Sequence, residues 1–147
     1  MGELDGKVAI ITGAGRLRGI GRAAAVSLAK LGADVVVTGT GRDPSSYPDD
    51  EKAVGWRDIE SVSELVRAEG RRALPLIMDV TSTSDVDNMV DRTIDELGRV
   101  DILINNAAFR RGEDRVPILD LSEELFQRVM DIKVQVRFYV QRRLSNI

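Results

Sequence analysis

Residues 8–22 decide the fold of this chain, and they read VAIITGAGRLRGIGR. The apolar start predicts a buried strand over about Lys7–Thr12, and the pattern after the turn predicts a helix over about Gly19–Leu31. A glycine-rich turn joins these two elements. Such a turn lets bare backbone approach a pyrophosphate, while the N-terminus of the following helix faces it. The stretch therefore predicts a site for a dinucleotide.

The same alternation of strand and helix continues along the chain. Further strands are predicted at about Asp34–Thr38, Ala73–Met78 and Asp101–Asn105. Further helices are predicted at about Asp58–Glu69, at about Asp85–Leu97 and from a cap at Ser122 onward. This order predicts an α/β fold with a doubly wound parallel sheet of Rossmann type and the strand order 3-2-1-4. The sheet is expected to be incomplete at its C-terminal side, where the fourth strand would form an open edge.

A long polar stretch, Gly39–Asp58, separates the second strand from the next helix. At about 20 residues it exceeds an ordinary connection, so it is predicted to be a functional loop or a flap. It contains the only tryptophan of the chain, Trp56. We expect this side chain to anchor the returning stretch to the body of the protein.

Composition limits the classes of function. A length of 147 residues predicts one domain, and a net charge of −3 argues against a nucleic-acid partner. The sequence has no apolar run of about 18 residues that would span a membrane. Cysteine and histidine are both absent, so no metal site is expected. A chain without cysteine and without a signal peptide is expected in the reducing cytoplasm.

Four motifs make the chain resemble the N-terminal half of a short-chain dehydrogenase/reductase. They are the glycine motif over residues 12–21, the run GADVVV at 32–37, Asp79-Val80 after the third strand, and NNAA at 105–108 after the fourth. The resemblance covers about Leu4 to Leu144. One glycine turn alone is weak support, but four motifs in order on the expected elements are specific.

Two features depart from the family pattern. Five residues separate Gly13 from Gly19 where the family has three. The extra pair, within Gly15–Arg18, is expected to lengthen the turn without moving its corners. Ala108 stands where the family commonly has glycine, and a residue this small still permits close packing.

The resemblance implies a set of cofactor-binding residues. They are Gly13, Arg16, Arg18, Gly19, Ile20, Arg42, Asp79, Val80, Asn106, Ala107 and Ala108. Gly13 and Gly19 would let the backbone approach the phosphates, and Gly21 would let the helix pack closely on the strand. Asp79 would accept a hydrogen bond from the adenine amino group, although a simple strand-end cap explains this residue too. Asn106 and Ala107 would pass near the two riboses.

The choice of nicotinamide cofactor depends on the end of the second strand. A site that prefers NAD places an acid there to hold the ribose 2′-hydroxyl. Here that position is Gly39, and the nearest acid is Asp43. Arg18 and Arg42 could instead hold a 2′-phosphate, unless both are ordinary surface arginines. The sequence therefore favours NADP(H), with NAD as the alternative.

The family's catalytic residues are not assigned in this chain. The resemblance implies a serine and a Tyr-x-x-x-Lys pair that would lie beyond Ile147, so residues 1–147 are expected to be a cofactor-binding domain truncated before its catalytic half. The position of a supporting asparagine in the last helix holds Lys133. Tyr139 and Arg143 have a Tyr-x-x-x-Arg spacing, but they lie on the wrong helix and arginine does not shuttle protons.

Three functions remain open at this point. The first is the cofactor half of an NADP(H)-dependent oxidoreductase that acts on an alcohol or carbonyl compound, with its substrate unidentified. The second is a non-catalytic NAD(P)-binding module that acts through a partner, and the third is an interrupted reading frame that binds nothing. The open strand edge and the apolar last helix predict a homo-oligomer.

Overall fold

The computed structural model describes residues 2–109 and 113–145, with the side chains of all of these except 135–139. The strands are β1 (Val8–Ile11), β2 (Asp34–Gly39), β3 (Ala73–Ile77) and β4 (Ile102–Ile104). The α-helices are α1 (Ile20–Lys30), α2 (Asp49–Ala53), α3 (Ile59–Ala68), α4 (Thr83–Leu97), α5 (Glu123–Met130) and α6 (Val136–Leu144). Within the described ranges, none of these helices is long and apolar enough to cross a membrane.

The four strands form one parallel sheet in the order β3-β2-β1-β4. In the central register, Ile10 lies between Val36 on β2 and Leu103 on β4. The predicted doubly wound α/β sheet and its strand order are confirmed. Strand β1 is paired on both sides, so the turn that follows it emerges near the middle of the sheet.

Both faces of the sheet are covered, which explains why β1 and β2 are apolar at almost every position. Successive side chains of a strand point to opposite faces. Ile10 and Val36 join a cluster with Met89 of α4 on one face. Val37 joins a second cluster with Val62 of α3 on the other face. Burial of this kind on two faces is typical of parallel sheets.

Two regions differ from the sequence-based expectation. The polar stretch predicted as a loop contains a 3₁₀ turn, Pro44–Ser46, and the short helix α2. Three acidic residues in the first turn of α2 stabilise it, because they lie at the positive end of the helix dipole. The sequence pattern did not predict α2 because five residues are too few to show an apolar period. The predicted last helix is divided by a π-helical segment, Asp131–Gln135, which lies between α5 and α6. The predicted cap is confirmed, since the Ser122 hydroxyl accepts the Leu125 N–H at 3.1 Å.

Asp101 joins the starts of β1 and β4. Its Oδ2 accepts the Val8 N–H at 2.9 Å, and its own N–H donates to the Val8 carbonyl at 2.9 Å. Lys7 and Arg99 also donate to the carboxylate. Burial opposes ionisation of Asp101, but hydrogen bonds from Arg99, the Val8 N–H and Lys7 outweigh it and lower the pKa to about 2.

Replacing Asp101 with Asn is expected to lower the free energy of unfolding at neutral pH by about 1–2 kcal/mol, as for a partly exposed charged hydrogen bond. The folded-state pKa of about 2 lies below the ordinary value of 3.8. The carboxylate therefore stabilises the fold at pH values above its unfolded-state pKa, and this contribution is lost as the pH falls towards about 2. Urea unfolding from neutral to acidic pH measures the difference.

The control for this experiment is Asp95→Asn, which removes the same charge at an exposed position of α4. We expect this variant to follow the wild type at every pH. A deficit of D101N that stays constant through the acidic range would contradict the stabilising role of the ionised carboxyl.

Candidate functional site

The glycine-rich turn, residues 12–19, connects β1 to α1 at the carboxyl ends of the central strands. Two buried threonines fix it to the sheet. The Thr12 N–H donates to the Ile104 carbonyl on β4 at 3.1 Å. On the other side, the Thr38 carbonyl on β2 accepts the Ala14 N–H at 2.8 Å. The turn is therefore tied to both neighbours of β1.

The loop after β4 returns to the same turn. The backbone N–H groups of Asn106 and Ala107 both donate to the Thr12 hydroxyl at 3.1 Å. The side-chain amide of Asn106 donates to the carbonyls of Thr12 and Gly13 at 3.0 and 2.9 Å. These bonds give Asn106 a positioning role within the protein. The predicted passage of Asn106 and Ala107 near the riboses stays a prediction.

Two glycines allow this close approach. Gly13 has a φ of +66°, and a Cβ added to it would lie 2.7 Å from the Ala107 Cα. A Cβ added to Gly21 would lie 2.6 Å from Nδ2 of Asn106 and 2.8 Å from the Ala14 Cα. Gly21 was predicted to let the helix pack closely on the strand; the structure places its close contacts with the turn and with the loop after β4. The lack of side chains at these two positions lets the turn, α1 and the loop after β4 meet.

The N-terminus of α1 fits an anionic ligand. Gly19 occupies the N-cap position, and among the described residues no side chain caps it. The first N–H groups of a helix have no partner within the helix, and they lie at the positive end of its dipole. Ile20 is 82% exposed at this point. An uncapped helix start beside bare backbone suits the pyrophosphate of a dinucleotide.

An acidic segment, residues 40–58, is bonded to the glycine-rich turn. The Trp56 indole Nε1 donates to the Gly15 carbonyl at 2.6 Å, which confirms the predicted anchoring role of this side chain. One carboxylate oxygen of Glu51 accepts the Leu17 N–H at 3.0 Å. Glu51 is only 2% exposed. These bonds occupy polar groups in the part of the turn that contains the two extra residues.

Arg42 joins the ends of the acidic segment. Its guanidinium donates to Glu51 at 2.9 Å and to Asp58 at 3.1 Å, and it lies over the Tyr47 ring at 4.6 Å. Burial opposes the charge, but the hydrogen bonds to Glu51 and Asp58 outweigh it and raise the pKa of Arg42. The predicted contact of Arg42 with a 2′-phosphate would therefore compete with two ion pairs.

Arg18 is the exposed cation of the glycine-rich turn. Its side chain is 82% exposed, and its Nε lies 2.9 Å from Oδ2 of Asp50. An exposed pair of this kind contributes little to stability, so Arg18 can exchange Asp50 for a phosphate. The predicted residue Arg16 accepts the Gly19 N–H with its backbone carbonyl at 3.2 Å, which closes the turn before α1.

The other predicted contacts lie after β3 and β4. Asp79 is exposed, and its Oδ1 accepts the N–H and the hydroxyl of Thr81 at 2.8 and 2.7 Å. This is the geometry of a side chain that stabilises a turn at a strand end. Val80 is buried in the core, and Ala108 is exposed. The adenine contact of Asp79 and Val80 stays a prediction.

The C-terminal helices hold the residues considered for catalysis. Lys133 is exposed in the π-helical segment. The Tyr139 side chain lies outside the described residues. Arg143 forms ion pairs with Asp87 and Asp91 of α4 at 3.0 and 2.5 Å. Arg143 therefore joins α6 to α4.

Sequence reasoning assigned no role to four residues that position the site. These residues are Thr12, Thr38, Glu51 and Asp58. The available signal for the threonines was a hydroxyl at the end of each of two buried apolar strands. No local signal distinguished Glu51 and Asp58 from the other acids of the same segment.

The fold and the turn together define the class of this protein. A parallel sheet with a glycine-rich turn between β1 and an uncapped α1 is a Rossmann-type nucleotide-binding arrangement. The family model for short chain dehydrogenase matches residues 7–146. The chain belongs to the short-chain dehydrogenase family.

Individual proteins and solved structures are also similar to this chain. The 12alpha-hydroxysteroid dehydrogenase of a Clostridium species is 35% identical, over 97% of this chain and 51% of the relative. The crystal structure of carveol dehydrogenase from Mycobacterium avium in complex with NAD has a TM-score of 0.80 at 28% identity, covering 99% of this chain and 50% of the other. A short chain dehydrogenase from Mycobacterium paratuberculosis bound to NAD has a TM-score of 0.80 at 32% identity, over 99% and 51%. The chain thus spans about half the length of the curated relatives it matches.

Replacing Gly13 with Ala is expected to destabilise the fold more than replacing Gly70 with Ala. Both glycines have positive φ, +66° and +77°, so both substitutions strain the backbone. The space around Gly70 is open to 4 Å, whereas the new Cβ at Gly13 would meet Ala107. We expect the overpacking to cost about 1–3 kcal/mol beyond the shared strain, measured by urea unfolding. Equal losses in the two variants would show that the contact with Ala107 is not tight.

Proposed function

We propose that this chain forms the cofactor-binding half of an NADP(H)-dependent oxidoreductase, which transfers hydride between the nicotinamide ring and an alcohol or carbonyl substrate. The observation that most directly supports this proposal is the glycine-rich turn, where backbone without side chains meets the uncapped start of α1. In open parallel sheets, ligands bind outside the carboxyl ends of the strands, where the strand order reverses. With the order β3-β2-β1-β4, that point lies between β1 and β4.

The residues of this chain bind and orient the dinucleotide. The first N–H groups of α1 face the pyrophosphate, and the backbone at Gly13 and Gly19 allows its close approach. The exposed Ile20 side chain offers an apolar surface to a planar ring. The bound nicotinamide group supplies or accepts the hydride.

The preference for NADP(H) is supported at the end of β2. Gly39 has no side chain to hold a ribose 2′-hydroxyl, and a Cβ added to it would lie 2.8 Å from Cγ2 of Ile59, so an acid at this position would require Ile59 to shift. Arg42 is held by two carboxylates. The preference therefore depends on Arg18, which is exposed on the turn and paired only with Asp50 among the described residues.

The relatives support the ligand class. The carveol dehydrogenase of Mycobacterium avium and the dehydrogenase of Mycobacterium paratuberculosis are both complexes with NAD. A nicotinamide dinucleotide is thus the ligand to test first, in both its phosphorylated and unphosphorylated forms.

The proposal includes a homo-oligomer in the cytoplasm. Large apolar side chains near the C-terminal end of the chain face solvent, with Ile118 81%, Leu119 94% and Phe126 53% exposed. Apolar surface of this kind favours association. The absence of cysteine suits a reducing compartment.

Replacing Arg18 with Ala is expected to weaken NADPH binding by about tenfold and to leave NADH binding unchanged. The substitution removes a charge-assisted hydrogen bond to the 2′-phosphate, which corresponds to roughly 1.4 kcal/mol. NADH carries no phosphate at that position. Titration with each dinucleotide, followed by the fluorescence of the reduced nicotinamide, measures both dissociation constants.

The control variant is Lys30→Ala, which removes one positive charge from the last turn of α1, at the opposite end of the helix. Equal losses for NADPH and NADH in Arg18→Ala, or a wild type that prefers NADH, would contradict the NADP(H) preference. A wild type that binds neither dinucleotide would contradict the proposed function.

A further inference from the structure

The glycine-rich turn is two residues longer than the family pattern, and the acidic segment satisfies the added backbone. The Gly15 carbonyl accepts the Trp56 indole N–H at 2.6 Å. The Leu17 N–H donates to Glu51 at 3.0 Å. The Leu17 carbonyl accepts a hydrogen bond from Arg22 at 3.0 Å, and the centre of the Arg22 guanidinium lies 5.9 Å from the Trp56 ring. Three backbone polar groups in the longer part of the turn thus have partners inside the protein.

The partners are themselves held by charge. Arg42, near the start of the acidic segment, spans Glu51 and Asp58 further along it, and all three groups are largely withdrawn from water. Asp58 has a φ of +53°, a conformation that side chains rarely adopt and that surrounding contacts must maintain. Its Oδ1 fills the space beside Gly15 where a side chain would otherwise stand. The backbone of the turn and the acidic segment therefore fit each other at close range.

We propose that Arg42, Glu51, Asp58 and Trp56 are positioning residues, which hold the lengthened turn in the conformation that receives a dinucleotide. They act through the backbone of Gly15 and Leu17 and not through contact with the cofactor. This inference rests on the proposed function and assigns a role to the acidic segment within it. It also replaces the 2′-phosphate role predicted for Arg42 with a role that is the same for NADH and NADPH.

The physical reason is the free-energy cost of ordering a flexible turn when a ligand binds. Residues 13–19 lie between Thr12 and the start of α1 at Ile20. Without contacts to hold them they would have many conformations, and ligand binding would have to supply the free energy of ordering them. Two hydrogen bonds from a segment that is itself locked by ion pairs remove that cost before the ligand arrives. Weakening the network should lower the affinity for every dinucleotide by the same factor, because the 2′ position is not involved.

The first test follows the turn without any ligand. Trp56 is the only tryptophan of the chain, so its emission reports on the surroundings of the indole ring that donates to Gly15. Replacing Glu51 with Gln removes the charge that Arg42 holds while it keeps the size of the side chain. We expect a red shift of the emission and faster quenching by acrylamide. The matched control is Asp49→Asn, which makes the same charge change at an exposed position of α2.

The second test measures affinity with NADH and NADPH as probes. Glu51→Gln and Arg42→Ala are each expected to weaken both ligands by about tenfold, with the ratio of the two dissociation constants unchanged. The double variant should lose little more than either single variant, because the two residues act in one network. Arg42→Lys should recover only part of the affinity, since an ammonium group lacks the planar fork that reaches both carboxylates.

A further variant tests the network without changing any charge, so that weaker binding can be distinguished from loss of the fold. Trp56→Phe keeps an apolar aromatic ring of smaller size and removes the N–H donor to Gly15. We expect it to bind both dinucleotides several-fold more weakly, measured by the fluorescence of the reduced nicotinamide, with a circular dichroism spectrum like that of the wild type.

The outcomes separate this inference from the proposed function. If the wild type binds NADPH or NADH and Glu51→Gln binds equally well, the inference is overturned and the proposed function stands. If Arg42→Ala weakens NADPH alone, Arg42 is a 2′-phosphate ligand and the inference is again overturned. If the wild type binds neither ligand, the proposed function fails and with it the role in binding. The emission of Trp56 in Glu51→Gln still shows in that case whether the network holds the turn.

Discussion

The contact on which the site depends is the packing of bare backbone at Gly13 and Gly21 against the loop after β4. A single added carbon at either position would stand closer than 3 Å to that loop. This constraint sets the distance between β1, α1 and β4, and it brings the backbone of Asn106 and Ala107 within reach of the Thr12 hydroxyl. In this protein the packing of the site itself therefore requires the lack of side chains at Gly13 and Gly21, whether or not a ligand is bound.

The acidic segment adds a second layer of constraint to the same turn. A buried carboxylate such as Glu51 would be costly alone, because burial removes the water that solvates its charge. Arg42 supplies the opposite charge, and the Leu17 N–H supplies a further hydrogen bond. Removing one partner from such a group leaves the other charge buried and uncompensated, which usually destabilises a protein strongly. The longer turn and the segment that covers it are thus coupled parts of one structure.

The sequence predicted the regular elements well, and the structure shows why it missed others. The strands and the larger helices carry an apolar pattern with a period that local residues reveal, as Val35–Val37 does for β2. The five-residue helix α2 is too short to show such a period. The π-helical segment between α5 and α6 interrupts a run whose sequence pattern continues as one helix. The predicted cofactor-binding residues Gly13 and Gly19 lie on the turn, but Arg42 forms ion pairs within the acidic segment.

The sequence by itself determined the order of strands and helices, the position of the glycine-rich turn and the membership of the chain in its family. These properties follow from local periodicity and from the backbone freedom of glycine, both of which short stretches of sequence contain. Only the tertiary structure decided which charges pair. Arg42 has several acidic neighbours along the chain, and the path of residues 40–58 across the turn selects Glu51 and Asp58. Partner choice among many similar side chains is a matter of three-dimensional distance, and spacing along the chain does not contain it.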